Sequence, residues 1–283
     1  MGIRKATLAG SWYPKRADEC EGEIVSFLKD TDISRVSHRK LIGGIVPHAG
    51  WIFSGSIACN VIHHLVDEKQ PDVIVIFGMH LHPNSPAYIM KQGGWETPFG
   101  ELQIEEDLAT ELVKQFSFQV ETFDDFIQDN TIEVQLPFIK YFFKNAKIVP
   151  IGAPPRAASL EIGHAVVELS QQLELKIRIV GSTDLTHYGY NYGFLPKGTG
   201  RSAVEWVKNT NDRRVIELML KMNPEGVIEE GLTQQNACCS GAAATAIAAG
   251  KRLGSEKAYA IAYATSYDKQ PGDSFVGYTG IVF

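Results

Sequence analysis

The 283-residue sequence contains no apolar run of transmembrane length, so no membrane-spanning helix is expected. Its opening, MGIRKATLAGSWYP, has a basic start but lacks the apolar stretch and small-residue cleavage site of a secretory signal. Gly2 is followed by Ala6 where a myristoylation signal needs Ser or Thr, which argues against a lipid anchor. Cysteine is scarce: Cys20, Cys59, Cys238 and Cys239 form no disulfide framework, and the last two are adjacent. That usage fits a reducing cytoplasm. Basic clusters are short (PKR, KRL, DRR) and the net charge is −6, so bulk electrostatics supply no nucleic-acid surface. Linkers, repeats and low-complexity segments are missing, and one domain over residues 1–283 is the economical expectation.

What is present is ordinary globular material, 44% hydrophobic and 21% charged. Short runs rich in Ile and Val predict buried strands over 40–47, 72–78, 146–153 and 176–184, each near a Gly or Pro. AYAIAYATS and SFVGYTGIVF predict two more, close enough in sequence to pair antiparallel. Helices are expected over 17–29, 54–67, 105–115, 132–143, 158–173, 203–209, 213–222 and 241–253. Alternation of this kind predicts an α/β fold, layered α/β/α around a mixed, largely parallel sheet.

In such sheets function gathers in loops at the carboxyl ends of strands. GGIVPHAGWIFSG places His48 at the first, with Gly50 able to turn sharply and Trp51 and Phe53 able to wall a pocket. A turn-shaping hydrogen bond explains His48 equally well. GMHLHP places His80 and His82 at the second, two residues apart and so on one side if the chain is extended, although one functional and one incidental histidine is the favoured reading. STDLTHYGY places Asp184 and His187 at the fourth. They converge if a turn or short helix begins there, with Asp184 orienting a histidine, sharing acid–base work, or capping a helix. The remaining histidines, His38, His63, His64 and His164, fall in or near helices or a loop.

NTIEVQLPF carries Asn130 and Glu133 in capping-box spacing, a structural reading that is strong by itself. NACCSGAAATAIAAG sets Cys238 and Cys239 before a small-residue helix, where a thiol becomes more acidic and a better nucleophile or ligand. The bland reading makes one of the two a small buried apolar residue. KGTGRS lacks the strand and spacing of a phosphate loop and reads as a surface turn. Two histidines, an Asp-His pair and a thiol suit a metal better than a catalytic triad, although no pair has the short fixed spacing of HExxH.

These motifs, in this order, resemble the Memo family: LAGSWYP, PHAG, the glycine-terminated strand before His80, NTIEVQLPF, STDLTHYG, ACCSG and GDSFVGYTG. The resemblance covers nearly the whole chain. It implies a fold similar to the LigB-type class III extradiol dioxygenases, which use non-haem iron. It also implies a pocket of two histidines and a cysteine with an Asp and a further His nearby. By resemblance His48 is the first histidine, Cys238 the cysteine, and Asp184 and His187 the Asp-His element. The second histidine is His80 or His82, because the family's turn is altered here. Asn130 stands where the family has a histidine, Cys239 where it has a glycine, and Ala242 where it has a proline.

Three functions follow as expectations. The first is a metal-dependent oxidoreductase, dioxygenase-like, with iron or copper (zinc also fits) on His48, His80 and Cys238, and with His187 steered by Asp184 moving protons. A thiolate beside iron and O2 is oxidisable, which is its weak point. The second is a non-catalytic protein whose pocket, walled by Trp12, Tyr13, Trp51 and Phe53, binds a peptide or small molecule. The third is a hydrolase with Cys238 as nucleophile and His187 as base. Metal dependence separates the first from the others.

Overall fold

The computed structural model describes residues 2–29 and 41–283; His38 and Lys40, where the first strand was expected to start, lie outside them. In chain order the strands are β1 (Ile3–Arg4), β2 (Gly43–Val46), β3 (Val73–Gly78), β4 (Ala87–Met90), β5 (Gly94–Thr97), β6 (Gly100–Gln103), β7 (Phe118–Glu121), β8 (Lys147–Gly152), β9 (Ile177–Ser182), β10 (His187–Tyr188), β11 (Tyr259–Thr265) and β12 (Phe275–Val282). The helices are α1 (Ala17–Lys29), α2 (Ser56–His64), α3 (Glu106–Gln115), α4 (Asn130–Glu133), α5 (Leu136–Phe142), α6 (Ala157–Gln172), α7 (Arg201–Trp206), α8 (Asp212–Leu220), α9 (Pro224–Gln234) and α10 (Ser240–Arg252).

The main sheet runs β10-β12-β2-β9-β3-β8-β4-β7, with β11 added against β12. Its centre, β2-β9-β3-β8, is parallel. Every residue of β2, β3 and β9 is buried, so these strands read as continuous apolar runs rather than alternating ones. Around this centre, β12 against β2, β10 against β12 and β4 against β8 are antiparallel. β11 and β12 pair antiparallel, as their closeness in sequence predicts. A separate small sheet, β1-β5-β6, stands apart from it.

Helices cover both faces. Successive strand residues point to opposite sides, and Gly43 and Gly44 of β2 show which helix lies where. A Cβ on Gly44 would sit 2.5 Å from Val61 of α2, whereas one on Gly43 would sit 2.4 Å from Phe283, the ring that also crowds Gly250 of α10. α2 therefore packs on one face and α10 on the other, with α1 beside α2 and α6 beside α10. The layered α/β/α architecture is the one expected. Among the described residues no helix is long and apolar enough to cross a membrane.

Some elements differ from expectation. The helix expected over 132–143 is two, α4 and α5, because Pro137 in the first turn of α5 supplies no amide hydrogen to a continuous ladder. α2 starts later than expected, after a wide turn over Trp51–Gly55. α9 was not anticipated, although Asn223 caps it and Pro224 opens it, a legible start signal. Strands β4 to β7 were also missed; each has only four residues, and β6 and β7 are largely exposed, so neither length nor apolar content marks them.

Candidate functional site

Because β2, β9 and β3 are parallel, their carboxyl ends open onto one edge of the sheet. His48, Asp184 and His80 each lie two residues past such an end. The start of α10 is drawn to the same edge: the Cys238 amide donates to the Asp184 carbonyl (3.1 Å) and the Cys239 amide to Thr183 Oγ1 (3.1 Å). As a result, ligand atoms of His48, His80, Cys238 and Cys239 all lie within 4.8 Å of one another. Cys238 Sγ is 3.2 Å from His48 Nε2, and the two imidazole rings stand nearly perpendicular, 4.9 Å between centres.

Both rings are held from behind. Ser182 Oγ donates to the Thr131 carbonyl (2.7 Å), so its remaining role toward His48 Nδ1 at 3.0 Å is to accept. That puts the Nδ1 hydrogen on Ser182 and leaves Nε2 facing the sulfur. The His48 amide donates to Asp184 Oδ1 (2.7 Å), and Asn130 Nδ2 donates to the His48 carbonyl (2.8 Å). Asp129 Oδ2 accepts from both the amide and Nδ1 of His80 (3.1 and 3.0 Å), while its Oδ1 accepts from Thr131. Met79, just before His80, has φ +73°, a left-handed conformation unusual for a methionine; its amide donates to Thr131 Oγ1.

The charges follow from this packing. His80 is partly exposed toward the cleft; the desolvation it does suffer disfavours its imidazolium, but the Asp129 carboxylate and Cys238 outweigh it and raise the ring to about 10. Burial works the same way on His48, where Asp184 and Cys238 outweigh it and push the ring up. Burial opposes ionisation of Cys238, yet Cys239 and the two imidazoles hold its thiol well below the usual range. Cys239 goes the other way, raised by burial and by the neighbouring sulfur. Asp129 is held low by His80 and Thr131 against its own burial. Without a metal the packing thus favours charge on Cys238 and on the two imidazoles and disfavours it on Cys239.

His48, His80, Asn130, Asp184 and His187 line a cleft of about 970 Å³. Trp12, Tyr13 and Trp51 form part of its wall. Trp51 is locked: its ring stacks on Phe138 at 4.0 Å, Nε1 donates to the Val134 carbonyl, and its amide donates to the Trp12 carbonyl.

A family model described as Memo-like protein matches residues 4–282. The chain belongs to the Memo-like family. A MEMO1 family protein of Pyrococcus furiosus is 34% identical over 294 residues, covering 99% of this chain and 98% of the relative. One of Pyrococcus abyssi is 32% identical over 292 residues, covering 99% of each. A crystal structure of an uncharacterized Escherichia coli K12 protein is similar in fold, with a TM-score of 0.57, 11% identity, and coverage of 86% of this chain and 99% of that one.

In this Memo-like chain several residues expected at the site sit differently. The capping box of Asn130 and Glu133 is not formed. The cap of α4 is Asp129, which accepts from the Thr131 amide, and Asn130 is the first helical residue. Glu133 is not among the residues lining the cleft; it lies behind the wall, accepting from the Leu8 amide (2.6 Å), Thr7 Oγ1 (2.8 Å) and Tyr13 OH (3.1 Å). It thereby pins the segment that carries Trp12. Glu133→Ala would leave the Leu8 amide and Tyr13 hydroxyl buried without this acceptor, at about 1–3 kcal/mol each. The expected result is a lower urea midpoint, with Glu133→Gln losing less because it keeps one acceptor oxygen.

His82 is exposed, accepts from the Asn84 amide, and is not part of the cluster. One of the two histidines thus joins the cluster and the other does not, the mixed outcome expected, because the chain from the left-handed Met79 to His82 is irregular and not an extended strand. No helix starts at Asp184. It lies between two rings instead, with Oδ2 3.8 Å from His48 Nε2 and 3.9 Å from His187 Nε2, both beyond hydrogen-bond length. His187 packs on Tyr192, and its Nε2 is buried without a hydrogen-bond partner.

Three residues escaped sequence reasoning. Asp129 and Ser182 hold the two rings, and Asp129 alone had a signal, a carboxylate just before a helix. Asp212 is the third. Fully buried, it accepts from the Thr186 amide and from Tyr263 OH (2.7 Å), bracing the strand end that carries Asp184 and His187. Burial pushes its carboxyl up to about 6 against those hydrogen bonds.

Proposed function

We propose that this Memo-like protein binds a divalent or redox-active metal through His48, His80 and Cys238, with Cys239 as a further donor, and serves as a dioxygenase-like oxidoreductase on a small molecule or peptide in the cleft. One observation carries the metal reading. Four donor atoms converge within 4.8 Å, and each imidazole has its outer nitrogen on an oxygen acceptor, Ser182 for His48 and Asp129 for His80. That arrangement fixes the tautomer and aims the inner nitrogen, as around metal-bound histidines generally. Two imidazoles and one or two sulfurs suit iron or copper, and zinc also fits.

When bound, the metal would supply a Lewis-acid and redox centre at the floor of the cleft. The chain's own groups do the rest. Trp12, exposed at the cleft wall, offers apolar surface to the ligand, and the buried Trp51 backs that wall. His187, with a free ring nitrogen near Asp184, is placed to take or give a proton beside the cluster. Asn130 fixes the His48 backbone and cannot itself act as a base.

Elemental analysis of protein purified without a metal-affinity tag tests this reading. Near-stoichiometric iron, copper or zinc is expected, lost in His48→Ala. If neither sample carries metal and reconstitution adds none, the metal reading is wrong and a binding pocket or a thiol enzyme takes its place. The Cys238–His48 contact of 3.2 Å favours the thiol alternative, with His48 rather than His187 against the sulfur. Its mark would be metal-independent hydrolysis abolished by alkylation of Cys238.

A further inference from the structure

The four cysteines have very different surroundings. Cys20 and Cys59 are completely buried, and burial pushes both thiols up to about 12. Cys239 is buried as well. Cys238 is the one that is partly exposed, beside two histidines that line the cleft. Its sulfur lies 3.2 Å from His48 Nε2 and 3.7 Å from the sulfur of Cys239. A sulfur in a partly exposed residue, 3.2 Å from an imidazole and with a second thiol one residue away, is the arrangement of an attacking and a resolving cysteine.

We propose that Cys238 and Cys239 form a redox couple that reduces hydroperoxides, closing to a vicinal disulfide and so withdrawing the sulfur from the His48–His80 cluster. The Cys238 sulfur attacks the terminal oxygen of the hydroperoxide and the O–O bond breaks. The sulfur loses two electrons and becomes a sulfenic acid, and the departing alkoxide or hydroxide leaves with the proton of the Cys238 thiol, which His48 Nε2, 3.2 Å from the sulfur, is placed to pass on. The Cys239 sulfur then attacks the Cys238 sulfur, the S–O bond breaks, and water leaves with the Cys239 proton. An external dithiol returns two electrons and two protons and restores the pair.

The local backbone makes such a disulfide easy to reduce. Adjacent Cα atoms are about 3.8 Å apart across a trans peptide, below the roughly 4.4–6.8 Å that disulfides prefer. The ring is therefore strained, and strained disulfides are the readily reduced ones. The amides of Cys238 and Cys239 are anchored on Asp184 and Thr183, so the Cys239 side chain has to rotate while the backbone stays. None of this requires a metal, so the couple and the metal site stand or fall separately.

The test uses the full chain, reduced and stripped of metal, treated with hydrogen peroxide at one equivalent and read by intact mass, thiol count and peptide mapping after alkylation. The wild type is expected to lose two of its four thiols and a mass of two hydrogens, both restored by dithiothreitol. Cys239→Ser should instead gain one oxygen on Cys238, captured by dimedone. Cys238→Ser should keep all its remaining thiols over the same time. Circular dichroism of the two variants checks that each is folded, and the wild-type result stands without them. Direct accumulation of two or three oxygens on Cys238 with Cys239 still alkylatable would overturn the proposal. So would thiol loss unchanged in Cys238→Ser, or no loss in the wild type.

Discussion

Gly241→Ala is expected to abolish metal retention although Gly241 touches no donor atom. The residue lies in the first turn of α10, two positions after Cys239. A Cβ there would stand 2.4 Å from the Ala153 carbonyl oxygen and 2.5 Å from both Pro154 C and Pro155 N. All three are backbone atoms of the loop leaving β8, so no side chain can swing aside. Alanine would gain about 1 kcal/mol in helix propensity, but overpacking against fixed neighbours costs about 1–3 kcal/mol, and rigid backbone puts this case at the upper end. The cheapest relief is for the start of α10 to shift outward, carrying Cys238 away from His48 and His80. The expected outcome is a folded protein with a lower melting temperature and little or no bound metal. Gly22→Ala is the control. It lies inside α1 with nothing within 4 Å of the new Cβ, and should stabilise by about 1 kcal/mol with metal content unchanged. Normal metal content in Gly241→Ala would mean that α10 does not set the sulfur position.

Much of the fold was legible because buried parallel strands declare themselves as short Ile/Val runs, and because histidines and Asp184 follow three of them. What periodicity cannot reveal is which strand ends lie side by side. β2 sits between β12 and β9, and β9 between β2 and β3, an order fixed by helix crossovers and not by any local residue pattern. The same gap hid Asp129. Its partner His80 is 49 residues earlier, and only the packing of α4 against β3 brings them together. Asn130 and Glu133 show the opposite failure. Their spacing matched a capping box, but a better cap stood one residue upstream, and a buried hydrogen-bonding role for Glu133 toward the N-terminal segment outweighed a local one. The choice between His80 and His82 turned on the left-handed Met79, a conformation no propensity assigns to methionine.

Asp129→Asn should separate what the carboxylate does for the fold from what it does for the site. Asparagine caps a helix as well as aspartate, so α4 should survive. The side chain then has one acceptor oxygen to serve Thr131 and His80 together, and His80 loses its charged acceptor. Its ring should fall from about 10 toward the ordinary 6.5. The sign of the stability effect follows. His80 is raised, so its contribution is complete below about 6.5 and disappears as pH rises through about 10. Asp129 is depressed, so its contribution is complete above about 3.8 and disappears as pH falls through its lowered native value. The pair therefore supports the metal-free fold most between about pH 4 and pH 6.5, and the exchange should flatten the stability profile there. Metal affinity moves differently, because protons compete with the metal for the rings. In the wild type it should climb with pH until His80 has titrated, near 10. In Asp129→Asn the climb should end at lower pH, at a plateau about 10–100-fold weaker for want of the carboxylate behind the ring. Competition with a chromophoric chelator across that pH range reads both features. An unchanged profile and plateau would show that His80 is no ligand, leaving His48 and the two sulfurs to hold whatever metal the protein carries.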